Sequence, residues 1–159
     1  MKNTNTQSIG LKPERATELA LKLNELLANY SVHYQNLRGF HWNIKGTGFF
    51  ELHAKFEDMY LIANEAIDEI AERILTLEHT PLHSYADYLE RSEVTVAKEL
   101  VTSRDTVGAT IQGLQTLLSH ERVILELSGK VGDEGTNALM SDYIRAQEKL
   151  CWMLKAYLS

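Results

Sequence analysis

The stretch from Leu52 to Leu77 restricts this chain more than any other. Leu52, Phe56, Met59, Ala63, Ala66, Ile70, Ile74 and Leu77 recur at alternating intervals of four and three. At about 100° per residue, all of them stay within about 40° of one line along a helix. A strand, with its period of two, would scatter them over both faces. The stretch is therefore read as a long amphipathic helix. It ends before Pro81, which favours extended backbone in the residue it follows.

Three further segments repeat the pattern. Pro13 and Glu14 suit a first helical turn. Leu19, Leu23, Leu26, Tyr30, His33 and Leu37 then form one stripe, with the helix expected to end near Gly39. His33 lies on that stripe and is expected as a packed core residue. Phe40 to Gly48 breaks the pattern and is expected as a bend. A third helix carries Leu100, Val107, Ile111, Leu114, Leu118 and Leu125. After a turn at Gly129 and Gly132, a fourth carries Leu139, Tyr143, Ala146, Leu150, Leu154 and Tyr157. Residues 79–95 make a long connection, within which residues 84–92 suit a short helix lying across the bundle. The expectation is all-α: a four-helix bundle with a short extra helix in the connection between the second and third long helices. Residues 1–12 read as a flexible tail and residues 13–159 as one domain.

A chain of 159 residues with a net charge of −6 is not expected to attract DNA or an anionic membrane non-specifically. The N-terminus lacks the apolar core of a signal peptide, and no apolar run approaches a membrane span. The single cysteine, Cys151, suits a reducing compartment, so a cytoplasmic location is expected.

The back of the second helix carries the chemistry. With Leu52 at zero, His53 falls near about 100°, Glu57 near about 140°, Asp68 near about 160° and Glu72 near about 200°. These side chains share a stripe facing away from the bundle's own core. Polar residues on an outer face are ordinary in any soluble helix. Here, however, the stripe also carries Leu61 and Leu75, with Ala54 and Ala71, which points to contact with another protein surface. Imidazole with carboxylates is a mixed donor set suited to iron, manganese or zinc. His53 and Glu57 are one turn apart, as are Asp68 and Glu72, and the two pairs lie roughly 16 Å apart along the axis. One metal centre cannot use all four from one helix. Two such helices packed antiparallel about a two-fold axis near Ile62 and Ala63 would set His53 and Glu57 of one chain against the other chain's Asp68 and Glu72. His41, at the end of the first helix or in the bend, would join its own chain's His53. An isologous contact of this kind makes two equivalent sites.

The spacing of His41-Trp42, His53, Glu57, Asp68 and Glu72 resembles the mini-ferritins, the Dps family (DNA-binding proteins from starved cells). The surrounding GTGFFELHAKFEDMY and IDEIAERI runs and the later GDEGT turn extend the resemblance over nearly the whole chain. It implies a ferritin-like bundle and a two-iron ferroxidase centre shared between two-fold-related subunits, with His41, His53, Glu57, Asp68 and Glu72 as iron ligands. It also implies a hollow homo-dodecamer that oxidises Fe(II), preferentially with hydrogen peroxide, and stores ferric mineral. Glu57 departs from the aspartate that many members carry. Trp42, beside His41, and Trp152, on the last helix, are candidate electron donors. The family's acidic three-fold pores imply Glu126, Asp133 and Glu134 as candidate pore residues.

Three other readings are set against this one. A true ferritin needs Glu-x-x-His inside one bundle, and none of the six histidines has Glu three positions before it. A DNA-compacting nucleoid protein with secondary iron binding would need a basic tail, whereas residues 1–12 carry only Lys2 and Lys12. DNA binding is expected to be weak or absent. A metal-free scaffold is separated from the ferroxidase by Fe(II) titration.

Overall fold

The structure, a computed structural model, describes residues 8–159. It contains α1 (Pro13–Asn43), α2 (Phe49–Thr76), α3 (Tyr85–Arg91), α4 (Ser103–Val131) and α5 (Glu134–Leu158), with no strand among the described residues. The long helices pack as two hairpins, α1 with α2 and α4 with α5, and α1 also packs on α4. No helix among the described residues is long and apolar enough to cross a membrane.

Every residue of the α2 stripe from Leu52 to Ile74 is buried, and so is Leu77 just beyond the helix. The α1 stripe is likewise buried from Leu19 to Leu37, His33 included. Burial pushes the His33 imidazole down to about 4, because a charge there would be desolvated. His33 packs so closely on α4 that a Cβ at Gly113 would collide with its ring.

The connection from α2 to α4 runs the length of the bundle, held by asparagines of α1. Asn24 accepts from the Leu82 N–H (2.7 Å) and donates to the Thr80 carbonyl (3.2 Å). Asn29, fully buried, accepts from the N–H groups of Glu93 (2.7 Å) and Val94 (3.0 Å). Asn36 accepts from the Ala97 N–H (3.0 Å) and donates to the Thr95 carbonyl (2.8 Å). The Lys45 N–H then donates to the Val101 carbonyl (2.9 Å). A strand-like segment with no sheet partner thus has its backbone groups satisfied by side chains of one helix. α3 hangs from this crossover and packs on α1.

Three expectations need correction. α1 does not end near Gly39 but continues to Asn43, so His41 and Trp42 lie in its last turn and not in a bend. A glycine costs a helix about 1 kcal/mol, whereas burying a phenylalanine is worth about 1.5–3 kcal/mol. Phe40 is buried with its ring 5.5 Å from that of Phe56, so packing wins. α4 starts at Ser103, leaving Leu100 in the crossover, and buries Leu117, Glu121 and Ile124 in place of Leu118 and Leu125. α5 buries Met140, Ile144, Gln147 and Leu154, while Ala146 and Tyr157 are exposed.

Glu121 and Gln147 meet Tyr30 inside the bundle. The Tyr30 hydroxyl donates to Glu121 Oε1 (2.8 Å), and Gln147 Nε2 donates to the same oxygen (2.5 Å). Burial pushes the Glu121 carboxyl up to about 7 in spite of these donors. Glu121 Oε2 and Gln147 Oε1 have no hydrogen-bond partner among the described residues.

Residues 1–7 of the expected tail lie outside the described residues. Ser8 donates its N–H to Glu78 Oε1 (2.9 Å), and Leu11 packs on the core, so the end of that segment lies against the bundle.

Candidate metal centre

The turn from α1 to α2 brings His41 and His53 together. Gly48 N-caps α2 in the left-handed region (φ 84°), and a Cβ there would collide with the Tyr157 hydroxyl. Only glycine accepts both constraints without strain. The two imidazoles stack with centroids 3.9 Å apart and planes 15° apart. His41 Nδ1 lies 2.7 Å from the His53 carbonyl oxygen, and His53 Nδ1 lies 2.8 Å from the His41 carbonyl oxygen. A carbonyl only accepts, so both Nδ1 atoms carry the hydrogen. In the neutral rings each Nε2 therefore holds a lone pair, the form in which histidine binds a metal. Phe49 stacks on His53 (5.1 Å, 17°), and Tyr60 meets His41 edge-on (5.4 Å, 74°). Periodicity gave no sign of these two flanking rings, which fix the orientation of the imidazoles.

Glu57 is exposed one turn beyond His53, and Asp68 and Glu72 are exposed further along the same face. None of the three carboxylates makes a hydrogen bond or ion pair with another described residue. Leu61 (53 % exposed) and Leu75 (58 %) share this face. Among the described residues, no three His, Cys, Asp or Glu side chains of the one chain converge to hold a metal ion. The chain thus brings together His41 and His53, with Glu57 nearby, and leaves Asp68 and Glu72 as a separate pair. Two imidazole Nε2 atoms together with carboxylate oxygens make a mixed donor set that fits divalent iron chemically.

The other candidates are placed differently. Trp42 is exposed with the Arg38 guanidinium 4.8 Å from its ring centroid. Trp152 is exposed on α5 beside Cys151 and Lys155, with no ring contact to the imidazoles. Asp133 is buried: it caps α5 through the Thr136 N–H (3.1 Å) and accepts from Arg73 (2.6 Å). Burial alone would push its carboxyl up, but the Thr136 and Arg73 donors outweigh this and hold it below the usual carboxylate range. Its charge is already engaged within the chain. Glu134 is exposed, and Glu126 is exposed with Lys130 Nζ at 2.6 Å. A hydrogen bond and the charge from Lys130 hold the Glu126 carboxyl low.

Residues 20–159 match the model of the ferritin-like domain. A crystal structure of a Dps protein from Vibrio cholerae, described as a member of a broad superfamily of ferritin-like diiron-carboxylate proteins, superposes with a TM-score of 0.96. It is 50 % identical and covers 100 % of both chains. This chain belongs to the Dps family. A Dps structure from Staphylococcus aureus superposes with a TM-score of 0.87 at 33 % identity, over 90 % of this chain and 96 % of that one. The DNA protection during starvation protein of Porphyromonas gingivalis is 45 % identical over 148 residues, 93 % of each chain. As a Dps protein, the chain has the ferritin-like fold and a role in iron storage and protection.

Proposed function

We propose that this protein is a ferroxidase and iron-storage mini-ferritin acting at sites shared between two subunits. The observation that carries the reading is the His41–His53 pair, whose mutual Nδ1 hydrogen bonds leave both Nε2 atoms free to bind metal. Fe(II) is the substrate. His41, His53 and Glu57 of one chain bind it together with Asp68 and Glu72 of a two-fold partner. The iron supplies the electrons: two Fe(II) and two protons convert one hydrogen peroxide to two waters and two Fe(III). Transfer to peroxide in pairs avoids releasing a hydroxyl radical. The exposed Leu61 and Leu75 form part of the contact, and ferric mineral collects inside a dodecameric shell in the cytoplasm. Glu134, with Glu126, attracts Fe(II) at the entry pores.

The relatives are named for DNA protection. Here that protection is proposed to come from removing iron and peroxide and not from contact with DNA, consistent with the net charge of −6.

Anaerobic Fe(II) titration followed by peroxide tests the reading. Saturable binding of two irons per shared site, with rapid oxidation lost in the His41→Ala, His53→Ala double variant, is expected. Unchanged binding and oxidation in that variant would overturn it.

A further inference from the structure

The ferroxidase reading leaves unused a set of hydrogen-bonded groups that leads from the exposed face of α2 to the buried Tyr30 and Glu121. Tyr143 on α5 donates its hydroxyl to Glu69 Oε2 (2.5 Å), and Glu69 follows the proposed ligand Asp68 on α2. The Tyr143 ring lies 5.8 Å from that of Tyr30, tilted by 55°. Tyr30, 4 % exposed, donates to the buried Glu121 (2.8 Å) and accepts from Gln147 Nε2 (2.5 Å). Two tyrosines in ring contact, each with a carboxylate placed to take its phenolic proton, thus run from beside Asp68 into the bundle.

We propose that Tyr143 and Tyr30 form a redox relay that accepts single oxidising equivalents escaping from the iron site. The inference rests on the ferroxidase reading only for the source of its oxidant, a hydroxyl radical formed when one Fe(II) meets one peroxide. The O–H bond of Tyr143 breaks. Its proton passes to Glu69 and its electron to the hydroxyl radical, giving hydroxide, which takes a proton to become water. The net change is tyrosine, the Glu69 carboxylate, a hydroxyl radical and one proton from solvent to tyrosyl radical, protonated Glu69 and water. The Tyr30 ring then supplies an electron to Tyr143, its own proton moving to Glu121 while Glu69 returns the first. The radical is left in the interior, out of contact with solvent. One Fe(II) and the proton held on Glu121 restore Tyr30 and leave Fe(III).

Other aromatic groups are less suited. A guanidinium over the Trp42 ring opposes removal of an electron from it, since the product would be a second cation facing the first. Tyr34 and Tyr60 are in ring contact with each other at 6.1 Å, but neither hydroxyl has a carboxylate as acceptor among the described residues. Burial, and for each the neighbouring glutamate, raises both relay phenols above the ordinary tyrosine value. They therefore rest protonated, and oxidation must move the proton with the electron.

The test is rapid-freeze electron paramagnetic resonance of the assembled protein after Fe(II) and peroxide, with ferric absorbance recorded on the same samples. A second arm oxidises metal-free protein with azide radicals and follows the long-lived tyrosyl absorbance. A tyrosyl signal is expected in both arms. It should be lost in the Tyr30→Phe, Tyr143→Phe double variant, reduced in Tyr143→Phe alone, and kept in Trp42→Phe. Tyr143 is only half-buried, so its single variant still decides the matter if the double variant fails to fold. A radical undiminished by these substitutions, or no long-lived tyrosyl absorbance in the wild type after azide radicals, overturns the relay and leaves the ferroxidase reading intact. Absence of ferric iron counts against the ferroxidase reading, and the azide arm then decides the relay on its own.

Discussion

His41 and His53 each donate Nδ1–H to the other's backbone carbonyl, at 2.7 and 2.8 Å, while their rings stack at 3.9 Å. Each ring is both a candidate ligand and the group against which the other is oriented. Loss of an orienting partner alone typically costs about 10–100-fold in metal affinity. His41→Ala should therefore lower Fe(II) affinity by more than that range, since it removes a ligand and frees His53 as well. Anaerobic titration of the single variants measures this. A fall of only a few-fold would show that the imidazoles bind no iron.

The Arg73–Asp133 pair predicts an acid-side stability effect. Asp133 is 3 % exposed at its side chain and Arg73 20 %. Breaking a buried ion pair typically costs about 3–5 kcal/mol. Part of the guanidinium is wet, so Arg73→Ala should fall near the lower end, about 3 kcal/mol. The Asp133 carboxyl is held below its ordinary value of 3.8 in the fold. Its contribution is therefore present above that pH and lost as pH falls through the lowered value. Urea unfolding at fixed protein concentration should show the wild type weakening on acidification below about pH 4, with a flatter profile in the variant.

Glu121 has the opposite sign. Its folded value is raised to about 7 from 4.5, so its protonated form is favoured by the fold. The stability it contributes is complete below the unfolded value and is lost as pH rises through about 7. At about 1.4 kcal/mol per unit, the change between pH 4.5 and 8 is about 3 kcal/mol. Glu121→Gln should remove most of that fall and be more stable than the wild type at pH 8. Urea midpoints at the two pH values decide it; an unchanged slope in the variant would place the pH dependence elsewhere.

The same residue explains what the sequence could and could not disclose. α2 was legible because its buried face is wholly apolar, so its period fixes both the helix and the outward direction of His53, Glu57, Asp68 and Glu72. α4 was misread by part of a turn because Glu121 occupies a core position, and only Tyr30 of α1 and Gln147 of α5 make that tolerable. Hydrophobic periodicity does not register a polar group whose partners come from other helices. The end of α1 was missed for a similar reason. Gly39 weakens the helix locally, but the contact between Phe40 and Phe56 is tertiary. The pairing of His41 with His53 was legible as spacing, whereas their reciprocal hydrogen bonds depend on the angle at which two helices meet.

Asn29 should matter more than an ordinary asparagine. Its Oδ1 accepts from Glu93 N, Val94 N and the Ser92 hydroxyl. Asn29→Ala leaves the Glu93 N–H without its acceptor and the Val94 N–H with only the Ser92 hydroxyl, and an unsatisfied buried donor costs about 1–3 kcal/mol. The expected outcome is a loss of about 2 kcal/mol, with amide exchange quickened at Glu93 and Val94. Unchanged exchange there would mean that other groups hold the crossover.

Leu61 links assembly to chemistry. It is 53 % exposed on the stripe that carries His53, Glu57, Asp68 and Glu72, at about 180° where Leu52 is zero. In the proposed antiparallel contact it lies close to the two-fold axis, so a charge placed there meets its own copy. Leu61→Glu alters no buried contact of the single chain, and its helical content should be unchanged. Its mass by light scattering should fall below that of the wild type, and peroxide-driven iron oxidation should fall with it, although His41 and His53 are untouched. Full oxidation by a folded monomer would show that one chain completes the site alone, and the shared-site reading would have to be abandoned.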